Sequence, residues 1–206
     1  MNRSVTERFG ITICLFWITL TGSVAAQEIT CQCDPAHTQV RFTLGDVLHT
    51  VHGSFQSKQC EIRLDPASGT LSGQIIVDAT SGETGKSARD RKMHKDVLES
   101  AHYPEIVFRP DRAQGKLTVP GDSNVQVHGT FGIHGSEHEI TVPVAVKLAA
   151  DHWQASAHFE IPYVAWGLKN PSVLLLRVGN TVDIDLHAEG RALPTVTSQG
   201  AAEKLR

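Results

Sequence analysis

The fold of this chain is decided by residues 125–148, VQVHGTFGIHGSEHEITVPVAVKL. Apolar and polar residues alternate from Val125 to His134, and they alternate again from Ile140 to Leu148. A period of two is typical of β-strands that bury one face and expose the other. Gly135-Ser136-Glu137 predicts a tight hairpin between the two runs, and so short a connection requires antiparallel strands.

The same alternation recurs along the chain, and it predicts roughly ten strands with turns between them. The other runs are Thr38–Leu44, Thr50–Phe55, Cys60–Leu64, Leu71–Ala79, Glu105–Arg109, Lys116–Val119, Trp153–Ile161, Val173–Val178 and Val182–Ala188. Asp65-Pro66-Ala67-Ser68-Gly69 predicts a turn, and Gly179-Asn180 predicts another hairpin. One polar helix is predicted from a capping Ser87 to about Ser100, with Met93, Val97 and Leu98 near one stripe.

The fold class predicted from this pattern is all-β. A chain with this many antiparallel strands must hide their edges, and closure into a barrel does so. Every barrel strand has an inner and an outer face, which agrees with the alternation. A two-sheet sandwich would show the same period, so the alternation favours an antiparallel barrel without excluding the sandwich.

Residues 1–26 are predicted to be a signal peptide. Arg3 and Arg8 lie in a short polar start, Ile11–Leu20 is apolar, and Val24 and Ala26 occupy the small-residue positions of a cleavage site. The domain is then expected to span residues 27–191, with a disordered tail over 192–206. We therefore expect an exported protein, periplasmic or secreted. No later segment is apolar over the roughly 20 residues that a spanning helix needs, so no stable membrane insertion is expected.

Three cysteines follow the predicted signal: Cys31, Cys33 and Cys60. In an oxidising compartment we expect a disulfide from Cys31 or Cys33 to Cys60, although three unpaired thiols would also fit the sequence. The chain carries a formal net charge of −3. Nothing in the sequence forms the clustered basic surface of a nucleic-acid-binding protein, so no nucleic-acid partner is expected.

The polar residues show no pattern of a catalytic site. No nucleophile motif and no phosphate-binding glycine loop is present. The eleven histidines mostly fall on the polar faces of strands. His128, His134 and His138 remain an alternative, as a metal site in a hydrolase. We predict no enzyme activity, no catalytic residues, no metal and no cofactor.

Several segments, taken in order, resemble the YceI family. They are Asp34-Pro35-Ala36-His37-Thr38-Gln39-Val40-Arg41-Phe42, Ala88-Arg89-Asp90, Leu98-Glu99-Ser100, Tyr103-Pro104-Glu105-Ile106-Val107-Phe108, Val127-His128-Gly129-Thr130-Phe131, Glu139-Ile140-Thr141-Val142-Pro143-Val144 and Asp183-Ile184-Asp185-Leu186. The resemblance covers roughly residues 34–190. The segment around Trp166-Gly167-Leu168-Lys169-Asn170-Pro171 departs from the family pattern.

This resemblance implies a lipocalin-like, extended antiparallel β-barrel with a short helix near one end. It also implies an apolar channel for a lipid-like small molecule, a polyisoprenoid or a fatty-acid-like chain, and it is compatible with a homodimer. The residues expected to line that channel are Phe42, Leu44, Phe55, Ile75, Val77, Met93, Phe108, Phe131, Ile133, Val142, Val144, Phe159, Ile161, Trp166 and Leu174.

The function expected on this basis is that of a carrier, store or sequestering protein for such a ligand. The residues also allow an alternative function, a stress-protection or interaction module in which the apolar faces only pack together. The two differ in one structural feature, because the alternative predicts a filled barrel with no tunnel.

Overall fold

The computed structural model of the protein describes residues 28–45, 50–172 and 177–195. Nine strands lie in these ranges, and they confirm the all-β prediction. In chain order the strands are β1 (Glu28–Cys33), β2 (Gln39–Gly45), β3 (Thr50–Leu64), β4 (Leu71–Glu83), β5 (Glu105–Gln114), β6 (Gly121–Ile133), β7 (Ser136–Leu148), β8 (His152–Ile161) and β9 (Val182–Thr195).

The strands form a closed ring, which confirms the barrel rather than the sandwich. From β3 the ring runs through β2, β9, β8, β7, β6, β5 and β4 and returns to β3. Every neighbouring pair is antiparallel. The predicted hairpin between β6 and β7 is present, with Ile133 opposite Ser136.

Strands β1 and β2 share one position in the ring, between β3 and β9. β2 pairs with one half of each neighbour, for example Arg41 with Ser54 and with Asp185. β1 pairs with the other halves, where Cys31 lies opposite Ile62 and Ala192. Each strand in the described ranges therefore has a hydrogen-bonded neighbour on both sides, which removes the exposed edges that promote aggregation.

Asp34 organises the break between β1 and β2. Its carboxylate accepts a hydrogen bond from the Ala36 amide at 2.9 Å and lies 2.8 Å from His37 Nδ1. These contacts lower the pKa of Asp34 and raise that of His37. Pro35 begins the intervening 3₁₀ turn, Pro35–His37, where its fixed φ suits a first helical position. The turn therefore interrupts the strand without moving the chain from its place between β3 and β9.

Gly53 is required by a close approach between β2 and β3. It lies directly opposite Phe42 in the register, and a Cβ at this position would collide with the Phe42 ring and with the Glu83 carbonyl oxygen. The glycine therefore allows the aromatic ring to lie across the strand on the inner face.

The predicted helix is shorter than expected and changes type. It comprises α1 (Ser87–Lys92) followed by a π-helical turn over Met93–Val97. Ser87 is the first helical residue rather than the cap, because Lys86 takes the cap position without a side-chain hydrogen bond. Met93, Val97 and Leu98 do share one face, and they pack on the barrel interior. None of the helices within the described ranges is long and apolar enough to span a membrane.

Other boundaries differ from the predictions. Lys116–Val119 is not a strand, and Gly179-Asn180 does not close a hairpin, since residues 162–181 form a long connection from β8 to β9. β9 continues to Thr195, so residues 192–195 pair with β1 rather than belonging to a tail. The predicted signal peptide, residues 196–206 and most of the predicted strand Val173–Val178 lie outside the described residues.

Cys33 and Cys60 form a disulfide, with their Cα atoms 5.2 Å apart. This is one of the two pairings that the sequence left open, and it ties β1 to β3. Cys31 is free and buried. It belongs to an apolar cluster at one end of the barrel, here called the Trp153 cluster. Its buried members are Cys31, Cys60, Leu64, Leu148, Trp153, Ala188 and Ala192.

Removal of the disulfide should destabilise the barrel without abolishing it. A bridge that closes a loop of 27 residues contributes about 3 kcal/mol to the free energy of unfolding, mainly by restricting the unfolded chain. The double variant Cys33→Ala/Cys60→Ala should therefore melt below the wild type, and its melting temperature should not respond to a reductant.

The matched control is Cys31→Ala, which keeps the disulfide. Its thermal denaturation should still shift downward when reductant is added, as in the wild type. Loss of reductant sensitivity in Cys31→Ala would show that Cys31, and not Cys33, pairs with Cys60.

Candidate functional site

The barrel is hollow. The inner faces of the strands and of α1 enclose a cavity of about 590 Å³. This volume falls within the roughly 300–1,000 Å³ that small-molecule sites occupy. The alternative of a filled barrel with no tunnel is therefore wrong.

The period of two explains why the cavity wall is apolar. On β7, for example, Thr141, Pro143, Ala145 and Lys147 are exposed on the outer face. The alternate residues of β7 line the cavity, and they are Ile140, Val142, Val144, Val146 and Leu148. The neighbouring strands repeat this arrangement, because directly paired residues point to the same face of a sheet.

Thirteen of the residues predicted for the channel line this cavity. They are Phe42, Leu44, Phe55, Ile75, Val77, Met93, Phe108, Phe131, Ile133, Val142, Val144, Phe159 and Ile161. The phenylalanines lie in two tilted pairs, Phe42 with Phe55 and Phe108 with Phe131, whose ring centroids are 5.2 and 6.4 Å apart. The structure thus brings these residues around one space; their contact with a ligand stays a prediction.

The structure corrects the prediction that Trp166 lines the channel. Leu174, which was also predicted to line it, lies outside the described residues. Trp166 is not part of the cavity wall. Its indole stacks on the His138 imidazole, with centroids 4.2 Å apart and planes 2° from parallel, and it contacts the Phe131 ring, with centroids 5.6 Å apart. The indole thus supports the wall through Phe131 without forming part of it.

The two ends of the cavity differ. The Trp153 cluster lies at one end. At the other end lies a second apolar cluster, here called the Tyr163 cluster, whose buried members are Val97, Leu98, Ile133, Ile161, Tyr163 and Leu168. Tyr163 donates its hydroxyl to the Gly179 carbonyl oxygen at 2.6 Å, and burial raises the pKa of this phenol. The hydrogen bond ties the two ends of the connection 162–181 together beside β9.

Three polar side chains line the cavity near the Tyr163 cluster: Thr84, Arg89 and Lys92. Arg89 donates from Nε to the Thr84 hydroxyl at 2.7 Å and from Nη2 to the Thr84 carbonyl oxygen at 2.9 Å. Lys92 donates from Nζ to the Pro171 carbonyl oxygen at 2.9 Å. Lys92 therefore bridges α1 to the connection 162–181. Arg89 and Lys92 are the charged side chains of the cavity wall within the described ranges.

The histidines of the alternative metal site do not converge. His128 Nδ1 lies 2.9 Å from the Asp111 carboxylate, His134 Nε2 lies 3.8 Å from Glu99, and His138 stacks on Trp166. In the part of the chain that the structure describes, no group of three or more His, Cys, Asp or Glu side chains could hold a metal ion. The hydrolase hypothesis therefore has no metal site among these residues.

Some wall residues were missed from sequence. The alternation itself marks most of the apolar ones, such as Val125, Val127, Val146 and Ala155, because they share a strand face with predicted residues. A weaker signal marks Arg89, which lies one helical turn before Met93 on the predicted stripe, and no such signal marks Lys92.

Comparison with known proteins agrees with this architecture. The YceI-like domain model matches residues 32–190. The structure is similar to that of Burkholderia cenocepacia BcnA, with 21% identity and a TM-score of 0.62 over 77% of this chain and 99% of that one. No curated protein matches the chain.

Two further solved structures are similar. One is a polyisoprenoid binding domain from Saccharophagus degradans implicated in plant cell wall breakdown, with 17% identity and a TM-score of 0.58 over 79% of this chain and 98% of that one. The other is the Campylobacter jejuni YceI protein, with 18% identity and a TM-score of 0.55 over 70% of this chain and 86% of that one. At these identities the likeness concerns the fold.

The free thiol inside the barrel should be unreactive. Burial raises the pKa of Cys31 to about 12, and only the thiolate is nucleophilic. At about pH 8 the native protein should resist alkylation of Cys31 by iodoacetamide, whereas the unfolded chain, with a thiol pKa of about 8.5, should react readily. Mass spectrometry of the peptide that contains Cys31 measures the difference. Rapid labelling in the native state would contradict the buried placement.

Proposed function

This chain belongs to the YceI-like family, and from that premise we propose that it holds a long apolar ligand, a polyisoprenoid or another lipid-like chain, inside its barrel. The observation that carries the proposal is the largely apolar wall of the 590 Å³ cavity, which includes Phe42, Phe108, Phe131 and Phe159. The polyisoprenoid-binding domain from Saccharophagus degradans, which has a similar fold, supports the same ligand class.

Apolar contact alone is sufficient to drive such binding. Transfer of one methylene group from water to an apolar site contributes about 0.8 kcal/mol. A chain of about 16 carbons therefore offers roughly 13 kcal/mol before the cost of ordering the ligand and the protein is subtracted. A wall without specific polar contacts along its length accepts chains by length and shape.

The role proposed for the protein is binding rather than catalysis: transport, storage or sequestration of the ligand after export. The N-terminal sequence, with its short apolar run and small-residue cleavage site, supports export to the periplasm or beyond. A closed barrel shields an apolar chain from water, which is the requirement for moving or storing such a molecule in an aqueous compartment.

A bound lipid should accompany the protein through purification. Organic extraction followed by mass spectrometry should recover a chain-like apolar molecule in reproducible proportion to the protein. Protein stripped of its lipid should take up added isoprenoid or fatty acid, with affinity that rises as the chain lengthens until the cavity is filled. Absence of extracted lipid together with no uptake would overturn the proposal.

Filling the cavity should weaken binding. Ala155 lines the cavity on β8, whereas Ala145 is exposed on the outer face of the adjacent β7. Ala155→Phe should reduce the affinity for a 16-carbon chain by about tenfold or more, since displacing two methylene groups already costs about 1.6 kcal/mol. Ala145→Phe, the matched control, should bind as the wild type does. Equal affinities of Ala155→Phe and the wild type would place the ligand outside the barrel.

A further inference from the structure

The end of the cavity near the Tyr163 cluster carries charged side chains, which a purely apolar ligand does not require. Arg89 and Lys92 both belong to α1, and they reach the cavity beside Thr84. Lys92 is half-buried, and its ammonium group makes one hydrogen bond, to the Pro171 carbonyl oxygen. An ammonium group has three N–H donors and a guanidinium group has five, so both side chains retain donors for a ligand.

Neither cation has a carboxylate partner in the described ranges, where the observed ion pairs involve other residues. Asp90, the adjacent acid, turns away to accept hydrogen bonds from the amide and hydroxyl of Thr84, and it is not part of the cavity wall. Arg89 is exposed, whereas Lys92 is half-buried, and a cation that is partly removed from water without a counterion is destabilised. An anion at this end of the cavity would supply the counterion that the protein does not.

The net charge of the sequence around the α1 end of the cavity is opposite in sign to the net charge of the whole chain. Residues 83–99 contain five Lys or Arg residues against Glu83, Asp90, Asp96 and Glu99, a net charge of +1, whereas the complete chain carries −3. The connection 162–181, which meets α1 through Lys92 and Pro171, adds Lys169 and Arg177 and contains no carboxylate. Charges of one sign around a cleft concentrate ligands of the opposite sign.

We propose that Arg89 and Lys92 form a head-group site in which Thr84 orients the Arg89 guanidinium, and that the preferred ligand is an amphiphile with a carboxylate or phosphate at one end. The chain lies along the apolar wall toward the Trp153 cluster, and the anionic head rests between α1 and Pro171. The Lys92 ammonium and the Arg89 guanidinium donate to its oxygen atoms. This inference rests on the proposed function, since it assigns an orientation to a chain held in the same cavity.

The test compares probes that share one chain and differ in the head: palmitate, hexadecyl phosphate and hexadecanol. Their affinities for the lipid-free protein are measured by displacement of a polarity-sensitive fluorescent probe. A charge-assisted hydrogen bond to the head stabilises the complex more than a hydrogen bond to a neutral hydroxyl does. Palmitate and hexadecyl phosphate should therefore each bind about tenfold more tightly than hexadecanol. The better of the two anions shows whether the site prefers a carboxylate or a phosphate.

Variants locate the effect. Lys92→Gln should weaken binding of both anions by about tenfold and leave hexadecanol unchanged. Arg89→Lys keeps the charge but loses the two-pronged contact with Thr84, so it should retain part of the preference. Lys95→Gln is the matched control, because Lys95 is an exposed cation of the adjoining π-helical turn that does not line the cavity. Thermal denaturation of each variant verifies that the barrel is folded.

The outcomes distinguish failure of the head-group site from failure of the proposed function. Equal binding of palmitate and hexadecanol overturns the head-group site and leaves the apolar-chain function standing. An equal loss of palmitate binding in Lys92→Gln and Lys95→Gln also overturns it, since a diffuse positive field would then be responsible. Failure of hexadecanol and the anions alike to bind the folded wild type removes the proposed function and the head-group site with it.

Discussion

Strands β3 and β9 need hydrogen-bonded partners along their whole length, and β1 and β2 supply them from a single position in the ring. An unpaired backbone N–H or C=O on either strand would form an exposed sheet edge. The 3₁₀ turn at Pro35–His37 makes the sharing possible, because it carries the chain from one half of the position to the other. The Cys33–Cys60 disulfide fastens the β1 half to β3. Without this closure the ring would open between β3 and β9, and no interior would exist.

Closure also determines which side chains meet inside. In a closed antiparallel ring, directly paired residues share a face, so Phe108 and Phe131, or Val144 and Ala157, are brought to the same side by register alone. Apolar side chains pack together in the Trp153 and Tyr163 clusters, and a cavity remains inside the barrel. An unfilled apolar interior forgoes the dispersion contacts that tight packing provides. A bound apolar chain would restore those contacts, so the hollow interior agrees with the proposed ligand.

The cavity is polar at one end and apolar at the other, and this difference gives a ligand a direction. The Trp153 cluster brings Cys31 to the wall, where burial keeps the thiol neutral. The opposite end receives Arg89 and Lys92 from α1. An amphiphile placed with its head at α1 satisfies both ends, whereas the reverse orientation would bury the head among apolar side chains.

The alternation of residues 125–148 and of the other runs was sufficient to predict an all-β fold and to assign Phe42, Phe131 and Ile133 to the inner face. That assignment is local, because successive side chains of a strand point to opposite faces whatever lies beside them. Boundaries were predicted less well: Lys116–Val119 forms no strand, and β9 extends beyond Arg191. These errors arise because pairing with distant strands, such as β9 with β1, decides where a strand ends. The sequence by itself thus determined the strands and their two faces. Only the tertiary structure decided that the ring closes around an empty space, and that α1 turns Arg89 and Lys92 toward it, since both depend on contacts between residues far apart in the chain.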